Sequence, residues 1–227
     1  MEIARFSVFG NSNVGAYIFA NNKVCLVPPS IPKDDRDLVQ EILKAEVVEA
    51  KISGTNLNGV FVVGNDNGIA LPYIVYREEL EELEKVFKEL DLRVVVVHSP
   101  ITALGNAVAV NNKAGIVSPE VPKKDVEILQ EVLGVELVRT AVAGLSIPGS
   151  LIVVNDTGGV VYPRVSDDEL KELEGILKVR LGRATVNAGV PFIRSGLVAN
   201  NSGALVGGAT TGPEILRVKK GLEGGGE

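Results

Sequence analysis

Val110-Asn111-Asn112-Lys113 is one of five segments in which an apolar strand runs into a tight turn that begins with asparagine. The equivalent asparagines are Asn21, Asn65, Asn155 and Asn200, so the steps along the chain are 44, 46, 44 and 45 residues. Asparagine, aspartate and glycine tolerate the positive φ of a hairpin turn, and β-branched neighbours suit strands. The spacing predicts five copies of one unit. The asparagines could instead form a polar ring of ligands, but we favour hairpin turns.

Each hairpin is followed by residues at helical spacing, with apolar positions separated by charged ones. The fourth of these stretches begins with the capping-box sequence Ser166-Asp167-Asp168-Glu169. The predicted helices lie near 34–44, 77–90, 123–133, 166–177 and 212–221. A third strand is predicted after each of the first four helices, at 46–52, 93–98, 135–142 and 182–187.

The fifth helix is followed by a glycine-rich end, so the missing third strand must come from elsewhere. The segment 3–8 ends 13 residues before Asn21, in phase with the other third strands. An N-terminal strand that completes the last unit would close a ring without leaving exposed ends. An all-β propeller is the alternative, but the five amphipathic helices disfavour it.

The predicted fold is therefore α+β, a closed ring of five pseudo-symmetric ββαβ repeats that resembles the pentein fold, an α/β propeller. We expect one ring domain over 1–222 and a flexible tail over 223–227. The repeats are placed at about 14–56, 57–103, 104–147, 148–193, and 194–222 together with 1–10.

Composition restricts the classes of function. The net charge is −6, and Arg217, Lys219 and Lys220 form the only tight basic cluster, which we interpret as a solvated helix face. Broad nucleic-acid binding is thus disfavoured, and no DNA partner is expected. The start is not a signal peptide and no apolar run is long enough to span a membrane. We expect a cytoplasmic protein.

Catalysis has few candidate residues in this chain. Some penteins act on guanidino groups through a cysteine nucleophile, and a hydrolase or transferase using Cys25 is the alternative function. Cys25 is in phase with Ile69 and other small or apolar residues, which predicts a core position. His98, the only histidine, ends a third strand and is interpreted as structural. We expect no catalytic residues, no metal site and no cofactor.

Three stretches resemble the translation initiation factor 6 family of archaea and eukaryotes: 11–15 (Asn-Ser-Asn-Val-Gly), 101–106 (Ile-Thr-Ala-Leu-Gly-Asn), and 185–189 leading into 195–201. The resemblance covers the whole chain and favours the archaeal type, because eukaryotic members continue into a longer tail. It implies a ribosome anti-association factor that binds the joining face of the large subunit. The implied contact is a ribosomal protein of the L14 type, near the sarcin–ricin loop of the large rRNA.

The segments joining each third strand to the next hairpin should emerge on one face of the ring, near 9–14, 53–58, 99–106, 143–149 and 188–195. Asn106 is distinctive, because the in-phase positions hold alanine, valine and serine. We predict a ribosome-binding face formed by Leu104, Gly105 and Asn106, with weaker contributions from Asn11, Asn13, Asn56, Asn187 and Arg194. A monomer is expected.

Overall fold

A computed structural model describes residues 1–226 and contains five three-stranded sheets arranged around one axis. The first hairpin strands are Phe19–Ala20 (β2), Val63–Gly64 (β5), Val108–Val110 (β8), Ile152–Val154 (β11) and Leu197–Ala199 (β14). The second strands are Val24–Val27 (β3), Gly68–Pro72 (β6), Gly115–Val117 (β9), Gly158–Val161 (β12) and Gly203–Gly207 (β15). The third strands are Glu2–Phe6 (β1), Glu46–Glu49 (β4), Arg93–Val97 (β7), Leu137–Arg139 (β10) and Arg180–Arg183 (β13).

Two kinds of helix accompany the sheets. The long helices are Lys33–Leu43 (α2), Arg77–Glu89 (α4), Lys123–Leu133 (α6), Asp167–Leu177 (α8) and Gly212–Leu222 (α9). A single helical turn precedes each hairpin, at Val14–Tyr17 (α1), Asn58–Phe61 (α3), Leu104–Ala107 (α5), Pro148–Leu151 (α7) and the 3₁₀ turn Ile193–Gly196. The long helices confirm the sequence prediction, including the capping-box start of α8, where Ser166 Oγ accepts from the amide of Glu169 at 3.2 Å. The short turns were not predicted from the sequence.

The N-terminal strand closes the ring as predicted. β1 pairs in parallel with β15, from Glu2 opposite Gly203 to Phe6 opposite Gly207. In each sheet the second strand is antiparallel to its hairpin partner and parallel to the third strand, as β12 is to β11 and to β13. The predicted fold class, a pentein-like ring of five ββαβ units, is confirmed.

The hydrophobic core consists of five clusters, each shared by two neighbouring units. Leu26 and Ile52 of the first unit pack with Ile69 and Phe87 of the second. Each long helix therefore lies between its own sheet and the sheet of the preceding unit. Because no unit buries its apolar surface alone, the units depend on one another for stability. Among residues 1–226, no helix is long and apolar enough to cross a membrane.

The five asparagine turns form a hydrogen-bonded belt around the axis. Each asparagine Oδ1 accepts from two amides of its own turn, as Asn111 does from Lys113 at 2.9 Å and Ala114 at 3.0 Å. Each Nδ2 then donates to the backbone carbonyl of the next asparagine. The five Nδ2···O distances are 2.8 Å (21 to 65), 3.1 Å (65 to 111), 3.1 Å (111 to 155), 3.2 Å (155 to 200) and 3.0 Å (200 to 21).

The belt also holds the ends of long helices. Nδ2 of Asn65, Asn111 and Asn200 donates to the last carbonyls of α6, α8 and α2, at 2.9, 3.1 and 2.6 Å. A carboxamide is the side chain that combines an acceptor with two donors, which explains asparagine at every belt position. The hairpin interpretation is confirmed, and the amide groups available for a ligand ring are already used within the protein.

The residue after each belt asparagine forms a second, more exposed ring. Its members, in order around the axis, are Asn22, Asp66, Asn112, Asp156 and Asn201. Each backbone amide donates to the Oδ1 of the next member, at 2.8–2.9 Å. The two aspartates are never adjacent, so asparagine amides separate the negative charges. Burial alone would raise the pKa of Asp156, but hydrogen bonds from Asn201 and Asn112 outweigh burial and lower that pKa.

The C-terminal segment, expected to be a flexible tail over 223–227, packs against the ring as far as it is described. Glu223 accepts a hydrogen bond from the amino group of Met1 at 2.8 Å, so the two ends of the chain meet. The amides of Gly224 and Gly225 donate to carbonyls at the end of α9. The final position, 227, lies outside the described residues.

Candidate functional site

The two faces of the ring differ in chemistry. Second and third strands run in parallel and end in register, as at Val27 opposite Glu49 and Pro72 opposite Val97. The connections that follow them therefore emerge on the same face, opposite the asparagine belt. We call this the turn face, formed by 8–13, 52–57, 98–103, 142–147 and 186–192 with the connections leading into the long helices. The opposite face is the belt face.

The short helical turns form a ring around the axis just beneath the turn face. Gly15, Gly59, Gly105 and Gly149 lie six residues before the belt asparagines and allow the turns to approach closely. A Cβ atom at Gly105 would lie 2.1 Å from the carbonyl oxygen of Gly59, and one at Gly59 would lie 2.0 Å from that of Gly15. Since real side chains cannot approach so closely, glycine is required. The glycine that recurs six residues before four belt asparagines is the sequence signal from which the short turns could have been predicted.

Arg194 occupies the fifth position of this glycine ring. Its side chain lines the narrow axial channel and reaches past the first unit, where Nε donates to the carbonyl of Gly59 at 3.1 Å. Desolvation by burial lowers the pKa of Arg194 to about 10, so the guanidinium stays charged at neutral pH. Arg194, predicted to lie on the binding face, thus lines the channel and links the fifth unit to the second.

Tight turns give the turn face its shape. Bridges join Val8 to Asn11, Ile52 to Thr55 and Val142 to Leu145. The two central residues of each turn have positive φ, as at Ser53 (56°) and Gly54 (71°), which is the type I′ geometry of hairpins. The turn face segment 98–103 has Ser99 and Pro100 in the corresponding place. Because proline fixes φ at a negative value, this turn cannot form there.

Carboxylates from the next long helix hold three of the five turns. Glu79 accepts from the amides of Ser53 and Gly54, both at 2.7 Å, and Glu169 accepts from Ala143 at 2.6 Å. Glu214 does the same for the turn at 186–190. α6 has Asp125 at this position, shorter by one methylene, and its buried Oδ2 has no hydrogen-bond partner within residues 1–226. This oxygen therefore does not hold the 98–103 segment as the three glutamates hold their turns.

Glu214 makes the densest set of such contacts. It accepts from Thr185 Oγ1 at 2.7 Å and from the amides of Ala188, Gly189 and Thr211 at 2.7–3.1 Å. Burial alone would raise the pKa of Glu214, but the hydrogen bonds outweigh it and lower the pKa to about 2. The ionised carboxylate thereby fixes the turn at 186–190.

We expect Glu214→Gln to cost about 1–3 kcal/mol at pH 7, because a carboxamide cannot accept all of these bonds. A carboxylate with a lowered folded-state pKa stabilises the protein above its ordinary pKa of 4.5, and this contribution is lost as the pH falls towards 2. In urea unfolding, the difference in unfolding free energy between the unaltered protein and the variant should therefore decrease between pH 4.5 and pH 2. Exposed Glu172→Gln is the control. An equal difference for Glu214→Gln at both pH values would contradict the assignment.

Large exposed apolar side chains concentrate on the turn face. Phe9, Tyr73, Tyr76 and Phe192 are 41–55% exposed. Leu145 and Ile147 in the fourth turn are each 37% exposed, while Ile128 and Leu216 lie apart from them on long helices. Aromatic contacts order parts of this surface: Tyr73 stacks on His98 and Phe9 meets Tyr17 edge-on, with ring centroids 6.0 and 6.3 Å apart. This combination is typical of a surface that binds another macromolecule.

The structure distributes the predicted site residues unevenly. Asn11 and Asn13 are exposed on the turn face, and Asn56, Asn106 and Asn187 are partly exposed there. Leu104, in contrast, is fully buried in the cluster shared by the second and third units, and Gly105 is buried in the glycine ring. Their prediction as contact residues is corrected, because neither has exposed surface for a partner.

Several contacts fix the polar residues of this face. Asn187 Nδ2 donates to the carbonyl of Ser12 at 2.9 Å, and Asn11 Oδ1 accepts from the amide of Asn13 at 2.8 Å. The first and fifth turns are thereby joined across the closure of the ring. The aromatic residues of the face were not predicted from the sequence. Their placement was the available signal: the chain has ten aromatic residues, and several of them stand beside turn residues.

The candidates for catalysis lie apart from one another. Cys25 is fully buried in the cluster shared by the fifth and first units, and burial raises the pKa of its thiol far above neutrality. His98 is exposed on the turn face and stacks on Tyr73. In the part of the chain that the structure describes, no three histidine, cysteine or acidic side chains are grouped as metal ligands.

The fold and the site together define a pentein-like ring with exposed aromatic side chains concentrated on one face. The model of the eIF-6 family matches residues 3–221, and the chain belongs to this family.

Proteins named translation initiation factor 6 are similar to it along nearly their whole length. That of Staphylothermus marinus is 53% identical over 225 residues, which covers 99% of each chain. That of Nitrosopumilus maritimus is 45% identical over 97% of this chain and 98% of its own. Among solved structures, the N-terminal domain of an ArgZ variant covalently bound to a reaction intermediate is 12% identical, with a TM-score of 0.45, covering 72% of this chain and 65% of that one.

Proposed function

We propose that this protein binds the large ribosomal subunit at its joining face and sterically prevents association with the small subunit. The observation that carries the proposal is the concentration of exposed aromatic and aliphatic side chains on the turn face. The archaeal relatives named translation initiation factor 6 support a role in translation. In this proposal the protein acts in the cytoplasm, as a monomer, and makes or breaks no covalent bond.

The build of the turn face suits a competitive binder. Carboxylates hold three of its turns in place before binding, which reduces the conformational entropy that these turns lose on association. Aromatic side chains such as Phe9, Tyr76 and Phe192 belong to the residue types that contribute most to binding free energy. Around them, Asn11, Asn13 and Asn106 add polar surface, whereas the amide of Asn187 is already used within the ring, where it donates to Ser12 and accepts from Thr210.

Electrostatics favours a protein as the main contact. The net charge of −6 opposes close approach to many rRNA phosphates but is complementary to a basic ribosomal protein. We propose a contact with a ribosomal protein of the L14 type, near the sarcin–ricin loop. A bound ring at that position would occupy space that the small subunit needs.

Sucrose-gradient sedimentation of purified archaeal ribosomal subunits tests this function. The protein should co-sediment with large subunits and not with small ones. Added in excess, it should reduce the fraction of joined ribosomes in proportion to its occupancy of large subunits. If large subunits do not retain the protein at moderate salt, or if retained protein leaves joining unchanged, the proposal is wrong.

A further inference from the structure

The axial channel of the ring contains a cavity beside Arg194. Its volume is about 50 Å³, and it is lined mainly by the five first hairpin strands. Among the described residues that line it, Arg194 is the one charged side chain. Because a buried water needs at least about 10–15 Å³ of such a cavity, there is room for about three waters, or for one small anion with part of its hydration shell.

The guanidinium of Arg194 has more donors than the protein satisfies. Nε donates to the carbonyl of Gly59 at 3.1 Å, and within residues 1–226 this is the only hydrogen bond or ion pair of the side chain. The four N–H groups on the two Nη atoms are left without a protein acceptor. Desolvation alone shifts its pKa, so no carboxylate among the described residues compensates the charge. Since a buried charge without a partner is costly, the contents of the channel must satisfy these donors.

The fold does not require an arginine at this position. Gly15, Gly59, Gly105 and Gly149 are in phase with Arg194, and none of them places a side chain in the channel. The fifth unit therefore adds a single positive charge to a channel that is otherwise lined by uncharged residues. An asymmetric charge of this kind favours a bound anion over a cation.

Main-chain groups of the innermost strands can hydrate such an ion. The amide of Asn155 donates to Gly158, and the carbonyl of Leu151 accepts from Tyr162. Because the main-chain groups of an antiparallel strand alternate between its two sides, those of Val154 face away from β12 and towards the axis. The equivalent residues, which also line the channel, are Ala20, Gly64, Val110 and Ala199. These groups have no net charge, so the sign of the ion depends on Arg194.

We propose that Arg194 binds a monovalent anion of the size of chloride in the axial channel. Its Nη groups donate hydrogen bonds to the ion, while Nε keeps its bond to Gly59. The small cavity excludes larger anions such as gluconate. Since the channel exists only in the folded ring, the bound ion stabilises the ring by mass action. The site lies on the axis beneath the turn face, and its failure would leave the proposed ribosomal function intact.

Urea unfolding in mixtures of sodium chloride and sodium gluconate at constant ionic strength tests the inference. When chloride replaces gluconate over about a hundredfold range of concentration, the folding equilibrium constant of the unaltered protein should rise about tenfold. Arg194→Met should abolish this response, because it keeps a long side chain but removes the charge. Arg164→Met is the matched control, with the same change at an exposed position, and should respond like the unaltered protein.

Crystals of the unaltered protein soaked in sodium bromide provide a second measurement that does not depend on the folding of a variant. An anomalous peak within hydrogen-bond distance of the Arg194 Nη atoms is the expected result. The absence of such a peak would show that water alone satisfies the guanidinium and would overturn the inference. An equal response to chloride in the unaltered protein and Arg194→Met would overturn it as well, since the anion would then act elsewhere.

Discussion

Replacing Asn111 by aspartate should destabilise the ring by about 3–5 kcal/mol, although the two side chains have nearly the same shape. Asn111 is 4% exposed, and its Nδ2 donates to the carbonyls of Asn155 and Leu177, both at 3.1 Å. An aspartate oxygen in place of Nδ2 would face these two carbonyl oxygens without a proton to share. The link between two hairpins and the end of α8 would become repulsive.

Urea unfolding at several pH values measures this effect. Burial and the two carbonyls should raise the pKa of the introduced carboxyl. The loss of unfolding free energy relative to the unaltered protein should therefore be largest near pH 8 and decrease as the pH falls and the carboxyl is protonated. Asn11→Asp is the control, because Asn11 is exposed and its Oδ1 already acts as an acceptor. A loss below about 1 kcal/mol at neutral pH would show that the belt contributes little to stability.

Gly105→Ala should cost roughly 3 kcal/mol or more, the upper range for over-packing a buried site. The added Cβ would lie 2.1 Å from the carbonyl oxygen of Gly59 and 2.9 Å from those of Val60 and Val62. All three are backbone atoms, so no side chain can rotate away. The neighbouring short turns must separate, which strains a ring whose circumference is fixed by five units.

Gly175→Ala provides the matched control for this substitution. Gly175 lies within α8, and a Cβ there would meet nothing within 4 Å. Alanine should therefore stabilise the helix by about 0.5–1 kcal/mol. Thermal unfolding of the two variants should show opposite shifts in Tm. If Gly105→Ala unfolds at the wild-type temperature, the glycine ring is not the close contact described above.

The elements that could be predicted from the sequence are those with a local cause. Belt asparagines mark hairpins because their turn conformation is set within four residues, and the long helices have their own apolar stripe. The strand 3–8 could be placed because its phase relative to Asn21 matches the other units. The short turns such as α5 were missed, since one helical turn has no periodicity and forms through contact with neighbouring units.

The residues of the turn face were predicted in part. The in-phase comparison that singled out Asn106 led to the connections that form this face, but Leu104 was assigned to the surface because sequence proximity to a loop does not reveal burial. Phe9 and Phe192 were overlooked for the opposite reason, because an aromatic residue is ordinarily expected in the core. Arg194 was predicted as a residue of this face, but its position in the axial channel could not be predicted, because it depends on the other four units having glycine in the same place.

Co-sedimentation of two double variants with archaeal large subunits tests the proposed use of the turn face most directly. Phe9→Asp with Phe192→Asp changes this face, and aspartate tolerates the positive φ at position 9. Lys44→Asn with Lys178→Asn makes the same change in net charge at exposed helix ends on the belt face. Both variants should remain folded, because all four side chains are exposed.

We expect the turn-face variant to lose at least about a hundredfold in affinity for large subunits and to leave subunit joining unaffected. The belt-face variant should bind and block joining like the unaltered protein. Undiminished binding by the turn-face variant, or loss of binding by the belt-face variant alone, would contradict the assignment of the turn face as the ribosome-binding surface.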